Sequence, residues 1–128
     1  MAAPIRIVLV EDNDVFREAL ELLFGLRSDV EVVASVADGA DAVRACREHN
    51  PDVILMDYRM PVLDGVQATR AVHDACPNAA VVVLTASANM REMDALREAG
   101  AVACLSKSQE LDQIVEAIFA AVGRLAWS

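Results

Sequence analysis

Five residues of this chain could share one piece of chemistry, and each closes a short apolar run. Glu11 and Asp12 follow residues 5–10, Asp57 follows 53–56, Thr85 follows 79–84, and Lys107 stands two residues past 102–105. Three carboxylates drawn together repel one another, and burying them is costly. A hard divalent cation would resolve that conflict, and oxygen donors with one or two carboxylates suit Mg2+. Thr85 adds a hydroxyl and Lys107 a compact positive charge, a pair able to hold an anionic tetrahedral group beside the metal. A carboxylate nucleophile, a metal, a hydroxyl and a lysine are a set suited to phosphoryl transfer. Singly, each residue is ordinary. An Asp after a strand is usually a turn or cap residue, a Thr there usually a helix-entry cap, and a lone Lys usually solvated. Their shared position at the ends of the runs sets them apart.

For those ends to meet, the runs must be parallel strands. Residues 5–10, 30–35, 53–56, 79–84 and 102–105 have strand length, and most are rich in Val or Ile. The first, third and fourth are nearly continuous hydrophobe, as strands covered on both faces are. Helical spacing fills the gaps. Phe16, Ala19, Leu20 and Leu23 recur behind a cap at Asn13 or Asp14. Residues 39–49 place Val43 and Cys46 on one side, and 64–75 carry Val66, Thr69, Val72 and Ala75. Residues 89–99 carry Met93 and Leu96 behind the cap Asn89, and Leu111, Ile114, Val115, Ile118, Phe119 and Val122 form the cleanest stripe. Pro51 and Pro77 stand just before strands, where a helix must already have ended, and Gly100 sits as a C-cap would. The pattern predicts an α/β fold, (βα)5: a doubly wound five-stranded parallel sheet with helices on both faces. Such a sheet opens its site beyond the C-terminal ends of its strands.

A length of 128 residues fits one domain, 1–128. The 55% hydrophobic share excludes a disordered chain, and 4% aromatics leave the core to aliphatic side chains. Eleven basic against twenty acidic residues give a net charge of −9, which argues against binding nucleic acid or anionic membranes through this surface. No apolar run approaches the roughly eighteen residues of a membrane helix. Cys46, Cys76 and Cys104 form no CxxC pair. Their odd count, without a secretory signal, points to a reducing cytoplasm, with all three read as buried small hydrophobes. His49 and His73 fall on helical stretches and read as surface or interhelix residues.

The motifs resemble one family throughout. Residues 8–13 (VLVEDN), 51–65 (PDVILMDYRMPVLDG), 83–86 (VLTA), 99–101 (AGA) and 105–107 (LSK) are similar, in order and spacing, to the receiver domain of two-component response regulators. The segment from Asp57 to Gly65 is the most specific. The resemblance implies a flavodoxin-like sheet of order 2-1-3-4-5 with Asp57 as phosphoacceptor. Glu11 and Asp12 become the acidic pair for Mg2+, Asp12 the more direct ligand, and the backbone carbonyl of Arg59 joins them. Thr85 and the backbone N–H of Ala86 bond phosphoryl oxygens, Lys107 pairs with the phosphoryl group, and Met60, Pro61 and Gly65 shape the loop. It further implies a sensor histidine kinase as donor and slow loss of the phosphoryl group, with Arg59 and Ser87 flanking the water path. The protein is then a cytoplasmic signalling switch rather than an enzyme proper.

Two positions depart from the pattern. Cys104 stands where many receivers carry the Tyr or Phe that turns inward on activation, and Ser108 stands where many have Pro. The Lys107-Ser108-Gln109 ending is similar to the subfamily with a C-terminal helix-turn-helix output domain. The chain stops at Trp127-Ser128, so no output domain is expected within it, and DNA would be reached only through one.

Three other readings fit less well. A haloacid-dehalogenase-type phosphatase needs an acid two residues past the nucleophile, where Arg59 stands. A flavin binder needs a phosphate loop where Glu11-Asp12-Asn13-Asp14 stands. A pseudo-receiver usually lacks one of the acidic pair, the acceptor or the lysine. Helix one also carries Val15, Leu22 and Leu26 beside its stripe. They make either a wide core-facing stripe or an exposed surface, and the second reading leads to a weak homodimer through helices one and five.

Overall fold

The fold is described from a computed structural model, for residues 3–57, 65–85 and 89–123. In chain order the elements are β1 (Ile5–Val10), α1 (Asp14–Gly25), β2 (Val30–Val36), α2 (Gly39–His49) and β3 (Val53–Asp57). Then come α3 (Gly65–Ala75), β4 (Ala80–Thr85), α4 (Met90–Ala99), β5 (Ala101–Ser106) and α5 (Leu111–Ala121). All neighbouring strands pair in parallel, in the order β2-β1-β3-β4-β5, as expected. Asp57 and Thr85 are the last residues of their strands.

Alternation along the strands builds two cores. Val8, Val10, Ile54, Met56, Val81 and Val83 pack with Ala42, Cys46, Val72 and Leu96 of α2, α3 and α4. Ile7, Leu9, Val53, Leu55, Val82 and Leu84 pack with Leu20 and Phe24 of α1 and Ile114, Val115 and Ile118 of α5. Both faces are therefore dry, and the three central strands read as nearly continuous hydrophobe for that reason. The edge strands β2 and β5 are only half-buried.

Helix ends follow their cap chemistry. The side chains of Asn13, Asp38 and Asn89 accept from the N–H groups of Phe16, Asp41 and Glu92. Gly100 ends α4 at φ 122°, and a Cβ there would stand 2.6 Å from the His73 ring, so both conformation and space demand glycine. His73 is thus an interhelix residue, packed beneath the turn from α4 to β5.

Two expectations need correction. On α1 the buried residues are Leu20 and Phe24, with Phe16 half-buried, while Ala19 and Leu23 face solvent. The true stripe runs at four-residue steps, and Val15, Leu22 and Leu26 are 79%, 69% and 78% exposed, so a wide core-facing stripe is ruled out. Cys46 and Cys76 are not separate hydrophobes: α2 and α3 lie side by side, and the two residues pair as a disulfide across a Cα–Cα distance of 6.4 Å. Only Cys104 is free. The pairing removes the cysteine argument for a reducing compartment.

A cross-link over 30 residues limits the unfolded chain, by roughly 3–4 kcal/mol in the chain-entropy account. Reduction, or Cys46→Ser, is expected to lower Tm by on the order of 10 °C, with Cys104→Ser near neutral. Thermal melts with and without reductant check this; a reductant-insensitive Tm with all three thiols alkylated in native protein would refute the staple.

Candidate functional site

The parallel register carries the chemistry to one edge. Val10 pairs with Met56, Asp57 with Leu84, and Thr85 with Ser106, so the ends of β1, β3, β4 and β5 stand in a row. Lys107 is fixed there by its N–H, which donates to the Thr85 carbonyl at 2.8 Å. Its ammonium reaches back across the row to Asp57 Oδ2 at 2.7 Å and Glu11 Oε1 at 3.0 Å. Glu11, Asp12 and Asp57 each place a carboxylate oxygen within 4.8 Å of the others. The structure therefore brings together Glu11, Asp12, Asp57, Thr85 and Lys107. Arg59, Met60, Pro61, Ala86 and Ser87 lie outside the described residues.

Burial sets the electrostatics. Glu11 and Asp57 are 1% and 3% exposed, whereas Asp12 is half-buried. Burial first, and then the hydrogen bond shared with Asp57, push the Glu11 pKa up to about 8. For Lys107, burial acts to lower the pKa, but its hydrogen bonds to Asp57 and Glu11 and their charges together raise it. The ammonium thus pairs with two of the three carboxylates. The hydroxyl of Thr85 is buried and makes no hydrogen bond among the described residues. An orphaned hydroxyl of this kind costs about 1–3 kcal/mol, and it stands beside the cluster. The donor set is all oxygen and crowded, which fits a hard divalent cation such as Mg2+.

The first turn of α1 adds two residues that the strand-end motifs do not contain. Arg17 donates from Nη1 to the Glu11 carbonyl oxygen at 2.8 Å and pairs with Asp14 at 2.7 Å. It braces the segment bearing the acidic pair. The Phe16 ring faces the Lys107 ammonium, 4.8 Å from ring centroid to Nζ. A basic residue one turn past the cap Asn13 was the available signal for Arg17. Phe16 was hidden by its place in a hydrophobic stripe.

Comparison with known proteins agrees with this geometry. The model of the response regulator receiver domain matches residues 7–119. The transcriptional regulatory protein LnrK of Bacillus subtilis (strain 168) is 35% identical over 114 residues, covering 89% of this chain and 52% of that protein. Among solved structures, the signal receiver domain of the response regulator NarL from Mycobacterium tuberculosis has a TM-score of 0.89 at 31% identity, covering 95% of this chain and 98% of that one. The receiver domain of the sensor histidine kinase PA1611 from Pseudomonas aeruginosa PAO1, described with a magnesium ion coordinated in its active-site cleft, has a TM-score of 0.80 at 34% identity. It covers 94% of this chain and 99% of that one. The chain spans about half the length of the curated relatives it matches.

Glu11 already engages its oxygens with Lys107 and the Asn13 N–H, while the half-buried Asp12 faces the cluster. Asp12→Ala is therefore expected to weaken Mg2+ binding roughly tenfold or more, and more than Glu11→Ala does. Metal titration of both variants is the check, with equal losses counting against the ranking.

Proposed function

Because the chain belongs to the response regulator receiver family, of the NarL and LuxR type, we propose that it is a phosphorelay switch whose acceptor is Asp57. The observation that carries this reading is the buried Asp57 carboxylate, 2.7 Å from Lys107, inside a crowded acidic cluster beside an unpartnered Thr85 hydroxyl. Asp57 attacks the phosphorus of a phosphohistidine on a sensor histidine kinase. The P–N bond breaks, its electron pair stays on the departing imidazole, and an acyl phosphate remains on Asp57. Lys107 and the Thr85 hydroxyl bind phosphoryl oxygens, joined by the Ala86 N–H. Glu11, Asp12 and Asp57 would hold Mg2+, joined, as the resemblance implies, by the Arg59 carbonyl, and the bound ion would offset the charge of the phosphoryl oxygens. Water later cleaves the acyl phosphate, giving back the carboxylate and inorganic phosphate.

The reading places the chain, 1–128, as one cytoplasmic receiver unit. With a net charge of −9 it signals through protein contacts, and DNA would be reached only through an output domain outside this chain, not through this surface. No helix among the described residues is long and apolar enough to cross a membrane.

The exposed Val15, Leu22 and Leu26 favour a second copy of the chain as one partner. They run the length of α1, and Arg27 beyond its end reaches Asp112 of α5 at 3.4 Å, so the two helices offer one continuous surface. A weak dimer through α1 and α5, strengthened by phosphorylation, is the expected output.

Acetyl phosphate with Mg2+ should add one phosphate by intact mass, lost in Asp57→Asn and in chelator; undiminished labelling of Asp57→Asn would sink the assignment. Sedimentation with and without beryllofluoride should show a mimic-dependent dimer that Leu26→Asp abolishes. A monomer under both conditions removes the interface and leaves the acceptor standing.

A further inference from the structure

Four contacts close on themselves at the rim of the site. The Asn13 N–H donates to Glu11 Oε2 at 3.1 Å, and the Asn13 side chain accepts from the Phe16 N–H at 2.9 Å. The Phe16 ring faces the Lys107 ammonium, 4.8 Å from its centroid, and that ammonium returns to Glu11 Oε1 at 3.0 Å. We propose that Phe16 is a positioning residue for Lys107. Its ring face is the third wall, with Asp57 and Glu11, of a cage that holds the ammonium where phosphoryl oxygens arrive. The proposal rests on the reading of Asp57 as acceptor and adds to it a residue outside the strand-end motifs.

The physical case begins with the mobility of lysine. Its long stem has many rotamers, and the Lys107 side chain keeps 22% of its surface in water. Two carboxylates attract the ammonium from the sheet edge, but nothing in their geometry stops it swinging outward. An aromatic face attracts a cation through its quadrupole, and an aliphatic side chain of similar size does not. The ring is itself well placed to serve. Phe16 stands in the first turn of α1, its backbone pinned by the Asn13 cap, so only two side-chain torsions remain. Neither of the other phenylalanines is available for this role, since Phe24 and Phe119 are buried in the α1–α5 core. Phe16 is half-buried at the margin of that core, where Leu20 and Phe24 supply the inward stripe. A filler at that margin needs apolar volume alone; a wall of the cage needs a π face.

Phe16→Leu keeps the apolar volume and removes the π face, while Phe16→Tyr keeps the ring. Three quantities separate the roles: Mg2+ affinity, beryllofluoride affinity at saturating Mg2+, and the NMR shift of the Lys107 ε-methylene protons. The wild type is expected to show those protons displaced upfield by the ring, and Phe16→Leu to return them to the ordinary lysine position. Phe16→Leu is also expected to bind beryllofluoride about three- to tenfold more weakly, with Mg2+ affinity held within about twofold and Phe16→Tyr restoring the wild-type value. An undisplaced ε-methylene in wild type overturns the proposal. So does a Phe16→Leu protein that binds beryllofluoride as wild type does, or one whose Mg2+ affinity falls equally, which marks general damage to the site. Should wild type bind no beryllofluoride at all, the acceptor reading fails, and the ε-methylene shift alone still decides whether the ring holds the lysine.

Discussion

Like charge forced into one place is the constraint on which this molecule turns. Glu11, Asp12 and Asp57 are held within 4.8 Å, two of them almost wholly buried, and only the Lys107 ammonium answers them among the described residues. Such a cluster is poorly stable by itself, since desolvation and mutual repulsion both disfavour the charged forms. The rise of the Glu11 pKa to about 8 expresses that conflict. A structure keeps an arrangement of this kind only if its frame is stiff enough to impose it. The cluster is relieved by whatever supplies positive charge or withdraws a carboxylate.

The frame is the sheet. The residues that hold the site are strand ends, and each strand behind them is clamped by a dry core on either face. Displacing Asp57 would mean displacing Val53 to Met56, a stretch almost wholly shut off from solvent. The cap of α1 extends the frame beyond the sheet, because Asn13 ties the helix start to Glu11 and Arg17 ties the first turn to the Glu11 carbonyl. Site and helix α1 therefore share atoms, and the apolar surface of α1 lies on the same rigid body.

How much of this is legible without coordinates depends on whether the signal is local. The strands were legible because burial on both faces writes continuous Val and Ile runs. Asp57, Thr85 and Lys107 were legible because a parallel sheet gathers the residues at the ends of those runs along one edge. Asn13, Asn89 and Gly100 were legible from cap chemistry that acts over one turn. The α1 stripe is ambiguous at Ala19 and Leu23 because an apolar-rich helix offers two overlapping periodicities, and only packing against β2 and α5 selects Leu20 and Phe24. The Cys46–Cys76 pairing was hidden for a different reason. It depends on α2 lying beside α3, which a sequence separation of 30 does not state. Phe16 looked like core because a ring that packs on its edge and faces a cation has the same local spacing as one that only packs.

On the proposed reading, the site would have to drive a switch without an aromatic at position 104. A bound group shifts a conformational equilibrium only by interactions that differ between the two states. On that reading, two features of this structure would supply such differences. The Thr85 hydroxyl is buried without a partner, a deficit of about 1–3 kcal/mol that a phosphoryl oxygen would cancel. The Lys107 ammonium is divided between two carboxylates and a ring, and a group carrying more negative charge redraws that division. A single term of that size corresponds to roughly a five- to 150-fold change in the balance of two states. Cys104 lies on β5 three positions before Lys107, paired with Val83, which is two positions before Thr85. It has no ring to rotate, so on the proposed reading the force exerted on Thr85 and Lys107 passes through the backbone hydrogen bond that joins them, and through Phe16 into α1.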